Sequence, residues 1–130
     1  MEESLFRQDT TTSTLTLYLG LHKDELAKVR ANGMVRPCNI MNEREHCSWL
    51  VLHTTGEGAA RRAAWGFEEL GKEPDASQLL GLCFKFTALG VGHYMMQNTL
   101  TTKDWHHFRF YGDLPLLSHA MNGEPLVRVQ

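Results

Sequence analysis

The sequence lacks several features that would mark specialised classes of protein. Its 130 residues contain three cysteines, Cys38, Cys47 and Cys83, and this odd, widely spaced set does not form a disulfide framework. No apolar run approaches the roughly 18 residues that a membrane-spanning helix needs. The first residues are polar and acidic and contain no hydrophobic segment of the secretory kind. These absences predict reduced thiols and a cytoplasmic protein with no membrane partner.

An excess of charge of either sign is also lacking. The chain has 13 Lys and Arg residues against 15 Asp and Glu residues, for a formal net charge of -2. Proteins that bind nucleic acid over a broad surface normally carry clustered basic residues, so no extensive nucleic-acid surface is expected. A small basic groove is compatible with this balance. Hydrophobic residues make up 42% of the chain, which is enough for an ordinary globular core.

The common signatures of catalysis are missing as well. No Walker loop, GxGxxG, GxSxG, HExxH or CxxC motif is present, which argues against the usual nucleotide hydrolases, dinucleotide oxidoreductases, esterases and zinc proteases. Cys38, His46 and Cys47 fall in one irregular stretch, but zinc ligands normally come in closely spaced pairs. The adjacent residues His46 and Cys47 would point in opposite directions in an extended chain. The sequence therefore predicts no metal site.

Hydrophobic periodicity predicts a single α+β domain over residues 14–130, after a flexible polar arm over residues 1–13. We expect a split or half-open sheet of about five to six strands with two main helices. The predicted strands cover residues 14–21, 48–53, 79–86, 95–100, 107–111 and 126–129. The predicted helices cover residues 23–32 and 57–70, and the second would pack through Ala60, Ala63, Ala64, Phe67 and Leu70. A turn or short helix is expected over residues 87–94 and again over 114–121.

The most informative stretch is the junction His53-Thr54-Thr55, where a predicted strand passes directly into a predicted helix. An imidazole and two hydroxyls at such a junction can bind a polar ligand, because strand ends and the loops after them often carry sites. The hydroxyls can equally cap the helix by accepting from its free N–H groups. The two interpretations are compatible, since a helix N-terminus also attracts phosphate.

Three short motifs, taken in chain order, resemble those of ADP-ribosyltransferase-like domains. The stretch LYLGL at residues 17–21, followed by a helix ending at Gly33, is similar to the opening of that fold. The strand LVL at residues 50–52, with His53-Thr54-Thr55 and the Ala-rich helix, resembles its second block. The stretch FRFYGDLPL at residues 108–116 is similar to the "HLYGPLPL" ending of a small, uncharacterised bacterial family of the same fold. The resemblance extends over roughly residues 17–121.

The resemblance implies a split sheet with a cleft that accepts NAD as substrate and a protein or other acceptor for ADP-ribose. In active members a polar or basic residue of the first strand holds the NAD ribose, and a hydroxyl or tyrosine after the second strand shapes the nicotinamide pocket. A late glutamate stabilises the positive charge that develops as nicotinamide leaves. Carried onto this chain, the resemblance implies catalytic roles for His53 and Asp113. It implies NAD-binding roles for Tyr18, His22, Thr54, Thr55 and Tyr111.

Two positions depart from that pattern. Leu19 occupies the first-strand position where a histidine or arginine is expected, and no glutamate lies between Asp75 and Glu124. Three hypotheses therefore stand side by side. The chain is an NAD-dependent ADP-ribosyltransferase, or an inactive binding module of the same fold that recognises a nucleotide, peptide or protein. In the third, it is a different α+β domain in which His53 is a core residue.

Overall fold

The computed structural model describes residues 15–37, 49–68, 71, 73 and 75–116, together with the backbone of residues 14 and 127–129. The expected arm over residues 1–13 and the stretch with Cys38, His46 and Cys47 lie outside these ranges. The elements follow in the order β1 (Thr14–His22), α1 (Lys23–Asn32), β2 (Met34–Val35), β3 (Trp49–His53), α2 (Gly56–Glu68), a short 3-10 helix (Ala76–Gln78), β4 (Leu79–Thr87), α3 (Ala88–Met96), β5 (Leu100–Asp104), β6 (His107–Tyr111), β7 (Leu114–Pro115) and β8 (Val127–Val129).

Among the described residues, the larger sheet has six antiparallel strands in the order β5-β6-β3-β1-β4-β8, and β2 and β7 form a separate two-stranded ladder. The protein is therefore α+β, as the order of elements predicts. Central strand β1 pairs with β4 over its full length, from Thr14 to His22. Its pairing with β3 is limited, among the described residues, to Tyr18–His53 and Leu19–Leu52. The two halves of the sheet thus meet at one short junction.

One face of this sheet carries the hydrophobic core. Successive residues of a strand point to opposite faces of the sheet. The core is formed by the apolar side chains that share one of these faces. Helices α1 and α3 add Val29 and Val91 to the same cluster. The strand residues of the core are Leu15, Leu17, Leu19, Leu21, Leu50, Leu52, Leu82, Phe84, Phe86, Leu100, Phe108 and Phe110.

Helix α2 lies on the opposite face of the sheet, in close contact with its backbone. A Cβ atom on Gly20 of β1 would lie 1.7 Å from the carbonyl oxygen of Ala59 in α2. The buried residues of α2 are accordingly small: Ala59, Ala63 and Gly66. Only residues of this size allow a helix to approach a strand so closely.

This contact corrects the predicted packing face of α2. Ala63 is buried as expected, but Ala60, Ala64 and Phe67 are half-buried, and Leu70 lies outside the described residues. The prediction followed hydrophobicity, which places the large ring of Phe67 against the sheet. In the structure, the α2 backbone lies so close to β1 that only its smallest side chains fit between helix and sheet. The buried face of α2 is therefore the one with Ala59, Ala63 and Gly66.

Local chemistry explains most element boundaries. Helix α1 covers the predicted residues and ends at Gly33, whose φ of 74° is left-handed as a C-terminal glycine requires. The strand predicted over residues 95–100 is wrong, because Met95 and Met96 complete α3. Of the two alternatives predicted for residues 87–94, a turn or a short helix, the structure has the helix. Thr87 caps it by accepting from the Gly90 N–H at 2.9 Å.

The remaining stretches differ more from the pattern. Leu114–Pro115 forms β7 rather than the start of a helix, and residues 117–121 lie outside the described ranges. Val127–Val129 forms the predicted last strand, at the edge of the sheet beside β4. None of the described helices is long and apolar enough to cross a membrane.

Candidate functional site

Five side chains with useful chemistry form a row across the face of the sheet opposite the core. The strand register pairs Cys83 with Tyr18, Tyr18 with His53, His53 with His107, and His107 with Asp104. Cross-strand partners project from the same face, so one line crosses β4, β1, β3, β6 and β5. We call this set the polar row. It passes through the short β1–β3 junction.

The end of the polar row formed by Cys83 of β4 and Tyr18 of β1 lies beneath the start of α2. A Cβ atom on Gly56 would lie 3.8 Å from the Tyr18 ring, so the helix begins beside that ring. Cys83 is a free, half-buried thiol beside the phenol. The negative charge of a Cys83 thiolate, followed by burial, raises the pKa of Tyr18. Tyr18 is therefore a neutral hydroxyl at physiological pH.

His53 is the central member of the polar row. Its ring centroid lies 5.9 Å from that of His107, and no described residue forms a hydrogen bond with its buried Nε2 atom. Burial, followed by the charges of His107, Arg62 and Arg61, lowers the pKa of His53 to about 4, against a weaker opposing effect of Asp104. At neutral pH the ring is uncharged and offers one donor and one acceptor nitrogen.

Asp104 supplies the carboxylate of the row. Its Oδ1 accepts from the backbone N–H groups of His106 at 2.8 Å and His107 at 3.3 Å, and its Oδ2 lies 3.5 Å from the Nδ1 of His107. The hydrogen bond from His106 is the main reason that the pKa of Asp104 is lowered. The carboxylate thus fixes the β5–β6 turn and the edge of the His107 ring.

A groove of about 200 Å³ adjoins the polar row, with side chains of α2 on one side and of β3 and β6 on the floor. We call it the arginine groove; its lining residues are Trp49, Val51, His53, Arg62, His107 and Arg109. The Arg109 guanidinium lies 4.8 Å from the centre of the Trp49 ring, and that of Arg62 lies 4.6 Å from the centre of the Trp65 ring. Both cations are held by aromatic faces.

A second cavity, of about 180 Å³, continues from the arginine groove along β5 and β6. It shares His107 and Arg109 with the groove and adds Thr101, Thr102, Lys103 and Tyr111. Among the described residues that line the two cavities there is no carboxylate. The two cavities therefore form one surface of basic, aromatic and hydroxyl groups.

The three residues of the junction His53-Thr54-Thr55, for which ligand binding and helix capping were both predicted, have different environments. His53 belongs to the polar row, whereas both hydroxyls bond to the backbone. Thr55 Oγ1 accepts from the Gly58 N–H at 3.0 Å, which confirms helix capping at that residue. Thr54 Oγ1 donates to the His106 carbonyl at 3.3 Å and joins the end of β3 to the β5–β6 turn. These hydroxyls position the site.

His22, predicted to bind NAD, lies away from the polar row. It is four residues from Tyr18 along β1, about 13 Å at the usual strand rise. Its Nδ1 accepts from the Asp24 N–H at 3.0 Å, and Glu25 accepts from the His22 N–H at 2.7 Å. This reciprocal capping box starts α1, and the His22 ring packs 5.5 Å from that of Phe67.

The last two predicted site residues lie at the far end of β6. Tyr111 packs 5.7 Å from the Trp49 ring and lines the second cavity. Asp113 forms an ion pair of 3.4 Å with Arg36, and both side chains are about half exposed. Because Tyr111 pairs with Trp49 and His107 with His53, the strand register places Asp113 beyond the opposite end of the ladder from His53. The two predicted catalytic residues are not brought together.

The sequence prediction gave no site role to three members of the polar row, Cys83, His107 and Asp104. It also gave none to the groove residues Trp49, Arg62 and Arg109. A signal for Arg109 existed, because it alternates with the buried residues Phe108 and Phe110 and so had to face away from the core. Nothing local indicated that this face would meet Arg62 from α2.

No family model, curated protein or solved structure matches the chain. Among the described residues, no group of three or more His, Cys, Asp and Glu side chains is placed to hold a metal ion. The fold and site define an α+β protein with a basic, aromatic groove on the polar face of an antiparallel sheet.

Proposed function

We propose that this protein binds a nucleotide on the polar face of its sheet, that NAD is the ligand, and that the fold is ADP-ribosyltransferase-like. The observation that carries the proposal is the polar row: Tyr18, His53 and His107 cross the β1–β3 junction in one line beside the arginine groove. The limited pairing of β1 with β3 supports a sheet that opens at this junction.

The chemistry of the groups suits such a ligand. The neutral ring of His53 and the hydroxyl of Tyr18 can hydrogen-bond to an amide or to ribose hydroxyls, which carry no charge. Trp49 and Tyr111 offer aromatic surface at the floor of the cavities. Arg62 and Arg109 supply fixed positive charge for phosphate oxygens.

The groove favours the inactive binding module over a transferase. Transfer of ADP-ribose needs a carboxylate near the ribose, where positive charge develops. Asp113 is paired with Arg36, and no carboxylate is found among the described groove residues. We therefore assign binding of NAD as the function and its recognition without cleavage as the expected behaviour.

Cleavage of NAD, with transfer of ADP-ribose to an acceptor, is the second candidate. One observation favours it: Asp104 stands in the polar row, two strands from His53, with its Oδ2 against His107. Movement of His107 would leave this carboxylate facing the groove. The acceptor would be a protein or another nucleophile.

The test combines two measurements on the same sample. Millimolar NAD should raise the melting temperature, because a ligand that binds the folded state alone stabilises it by mass action. Chromatography then detects any nicotinamide released. A thermal shift without nicotinamide supports the binding module, and a shift with nicotinamide supports the transferase. The absence of both would refute the proposal.

A matched pair of variants locates the binding. His53→Gln keeps a polar side chain and should abolish most of the thermal shift. His93→Gln removes a histidine from α3, which packs on the core side of the sheet. This variant should keep the thermal shift that NAD causes in the native protein. Equal shifts in the two variants would place the NAD elsewhere.

A further inference from the structure

We propose that the arginine groove is a phosphate-binding subsite, in which Arg62 and Arg109 together hold a phosphate or diphosphate group of the ligand. The inference deepens the proposed function and rests on the groove being part of the same ligand site. It predicts which part of a nucleotide supplies the affinity.

The local charge of the groove contrasts with that of the whole chain. Acidic residues outnumber basic ones in the sequence, 15 against 13. The described lining of the groove nevertheless contains two arginines with no carboxylate, and the adjoining cavity adds Lys103. Asp104 faces His107 from the β5 side and partly offsets this charge. Fixed positive charge gathered in a concave site attracts anions.

Arg109 is the better defined of the two arginines. Among the described residues no carboxylate lies within ion-pair distance of its guanidinium, which instead rests on the Trp49 ring at 4.8 Å. The cation–π contact with Trp49 holds the guanidinium beside the groove. Its N–H donors, which no described carboxylate engages, are the groups that a phosphate would accept from.

Arg62 approaches the same groove from α2. Its guanidinium rests on Trp65 at 4.6 Å, and it lines the groove with Arg109 and His53. Two arginines from different elements can contact different oxygens of one phosphate, which a single side chain does not achieve. The neutral His53 ring adds one uncharged donor at the floor of the groove.

The size of the groove supports a subsite rather than a complete site. Whole ligand pockets usually enclose about 300 to 1,000 Å³. The groove, at about 200 Å³, holds one group of a larger molecule. The second cavity shares His107 and Arg109 and offers hydroxyl and aromatic groups for the next part of that molecule.

The test uses simple probes at constant ionic strength. Calorimetry or NMR titration measures binding of inorganic phosphate, pyrophosphate, ADP and adenosine to the full chain. Pyrophosphate and ADP should bind, and adenosine should bind about tenfold or more weakly than ADP because it lacks the charge-assisted contacts. Equal binding of adenosine and ADP would overturn the proposal. So would much tighter binding of a short RNA than of ADP, since the ligand would then be a nucleic acid.

Variants assign the subsite to its residues. Arg109→Gln and Arg62→Gln should each weaken pyrophosphate binding by about tenfold. Arg30→Gln removes the same charge from an exposed position of α1 and should change the affinity less than about twofold. Equal losses in all three variants would overturn the assignment. If Arg109→Gln fails to fold, Arg109→Lys keeps the charge without the planar fork and should show an intermediate affinity.

The results separate this inference from the proposed function. Pyrophosphate binding that depends on Arg109, without any response to NAD, would retain the subsite and refute NAD as the ligand. NAD binding that is unchanged in both arginine variants would retain the proposed function and refute the subsite.

Discussion

Gly20 and Gly81 lie directly opposite each other in the β1–β4 ladder, and the first two turns of α2 lie across both. A Cβ atom on Gly20 would lie 1.7 Å from the Ala59 carbonyl oxygen, and one on Gly81 would lie 3.1 Å from the Gly56 Cα. The pair of glycines thus sets the distance between helix and sheet. That distance also determines where α2 presents Arg62 to the groove.

Replacement of Gly20 should accordingly be costly. Gly20→Ala forces the helix backbone away from the sheet, and we expect a loss of about 3 kcal/mol, at the upper end of the usual cost of overpacking. Gly81→Ala meets a looser contact and should cost about 1 kcal/mol. Urea denaturation measures both free energies of unfolding. A Gly20→Ala loss no larger than that of Gly81→Ala would contradict the packing described here.

Much of the fold could be predicted because its causes are local. The alternation of Leu15, Leu17 and Leu19 with polar residues underlies the strand predicted over residues 14–21, which is β1 in the structure. Acidic residues near the start of α1 and Gly33 at its end predicted that helix to the residue. Helix α3 was predicted only as one alternative, because its hydrophobic residues have no clear helical period.

The site was less predictable because it depends on strand order. Local pattern identified Tyr18 and His53 as polar residues of two strands, and the β1–β3 register brings them side by side. The position of Arg109 beside them requires β6 to pair with the other edge of β3. That pairing joins residues far apart in sequence, which no periodicity encodes. Arg62 depends in turn on how closely α2 approaches Gly20.

The lowered pKa of His53 predicts a pH dependence of stability. The unfolded chain binds a proton at this histidine near pH 6.5, whereas the folded protein resists protonation until pH about 4. The folded state therefore loses stability as the pH falls from about 6.5 to 4 and loses no more from this group below that range. Because His53 is half-buried, we discount the full shift for solvent screening and expect about 1 to 2 kcal/mol.

The variant His53→Gln isolates this effect. The variant lacks the titrating ring, so it should not lose this stability as the pH falls. Its free energy of unfolding, relative to that of the native protein, should therefore increase by about 1 to 2 kcal/mol from pH 7 to pH 4.5. Urea denaturation at a series of pH values provides the difference, and NMR follows the His53 resonances directly. A constant difference across this range would show that the folded protein accepts the proton at little cost.

Thr55 should act through the helix and not through the ligand. Thr55→Ala removes the acceptor for the Gly58 N–H and should destabilise the protein by about 1 kcal/mol. Thr55→Ser keeps the hydroxyl and should recover most of the loss. Once stability is corrected for, both variants should bind NAD as the native protein does. Weaker binding in Thr55→Ala alone, with no loss of stability, would instead assign the hydroxyl to the ligand.

Asp104 provides the sharpest contrast between the two candidate functions. Asp104→Asn keeps an oxygen that can accept from the His106 N–H but removes the negative charge beside His107. The groove becomes more positive, so pyrophosphate should bind roughly threefold more tightly at low salt, as expected for removing an exposed charge beside His107 of the groove lining. Nicotinamide release, if the native protein shows it, should be lost because the carboxylate of the polar row is gone.

The matched control for this variant is Asp113→Asn. It removes an equal charge at the far end of β6, from an exposed pair with Arg36 that contributes less than about 1 kcal/mol. Pyrophosphate affinity and any nicotinamide release should both stay at the native level. If Asp113→Asn abolishes release while Asp104→Asn retains it, the catalytic carboxylate is Asp113, and a rearrangement of β6 and β7 must bring it toward His53. If both variants tighten pyrophosphate equally, the effect reflects net charge and not the groove.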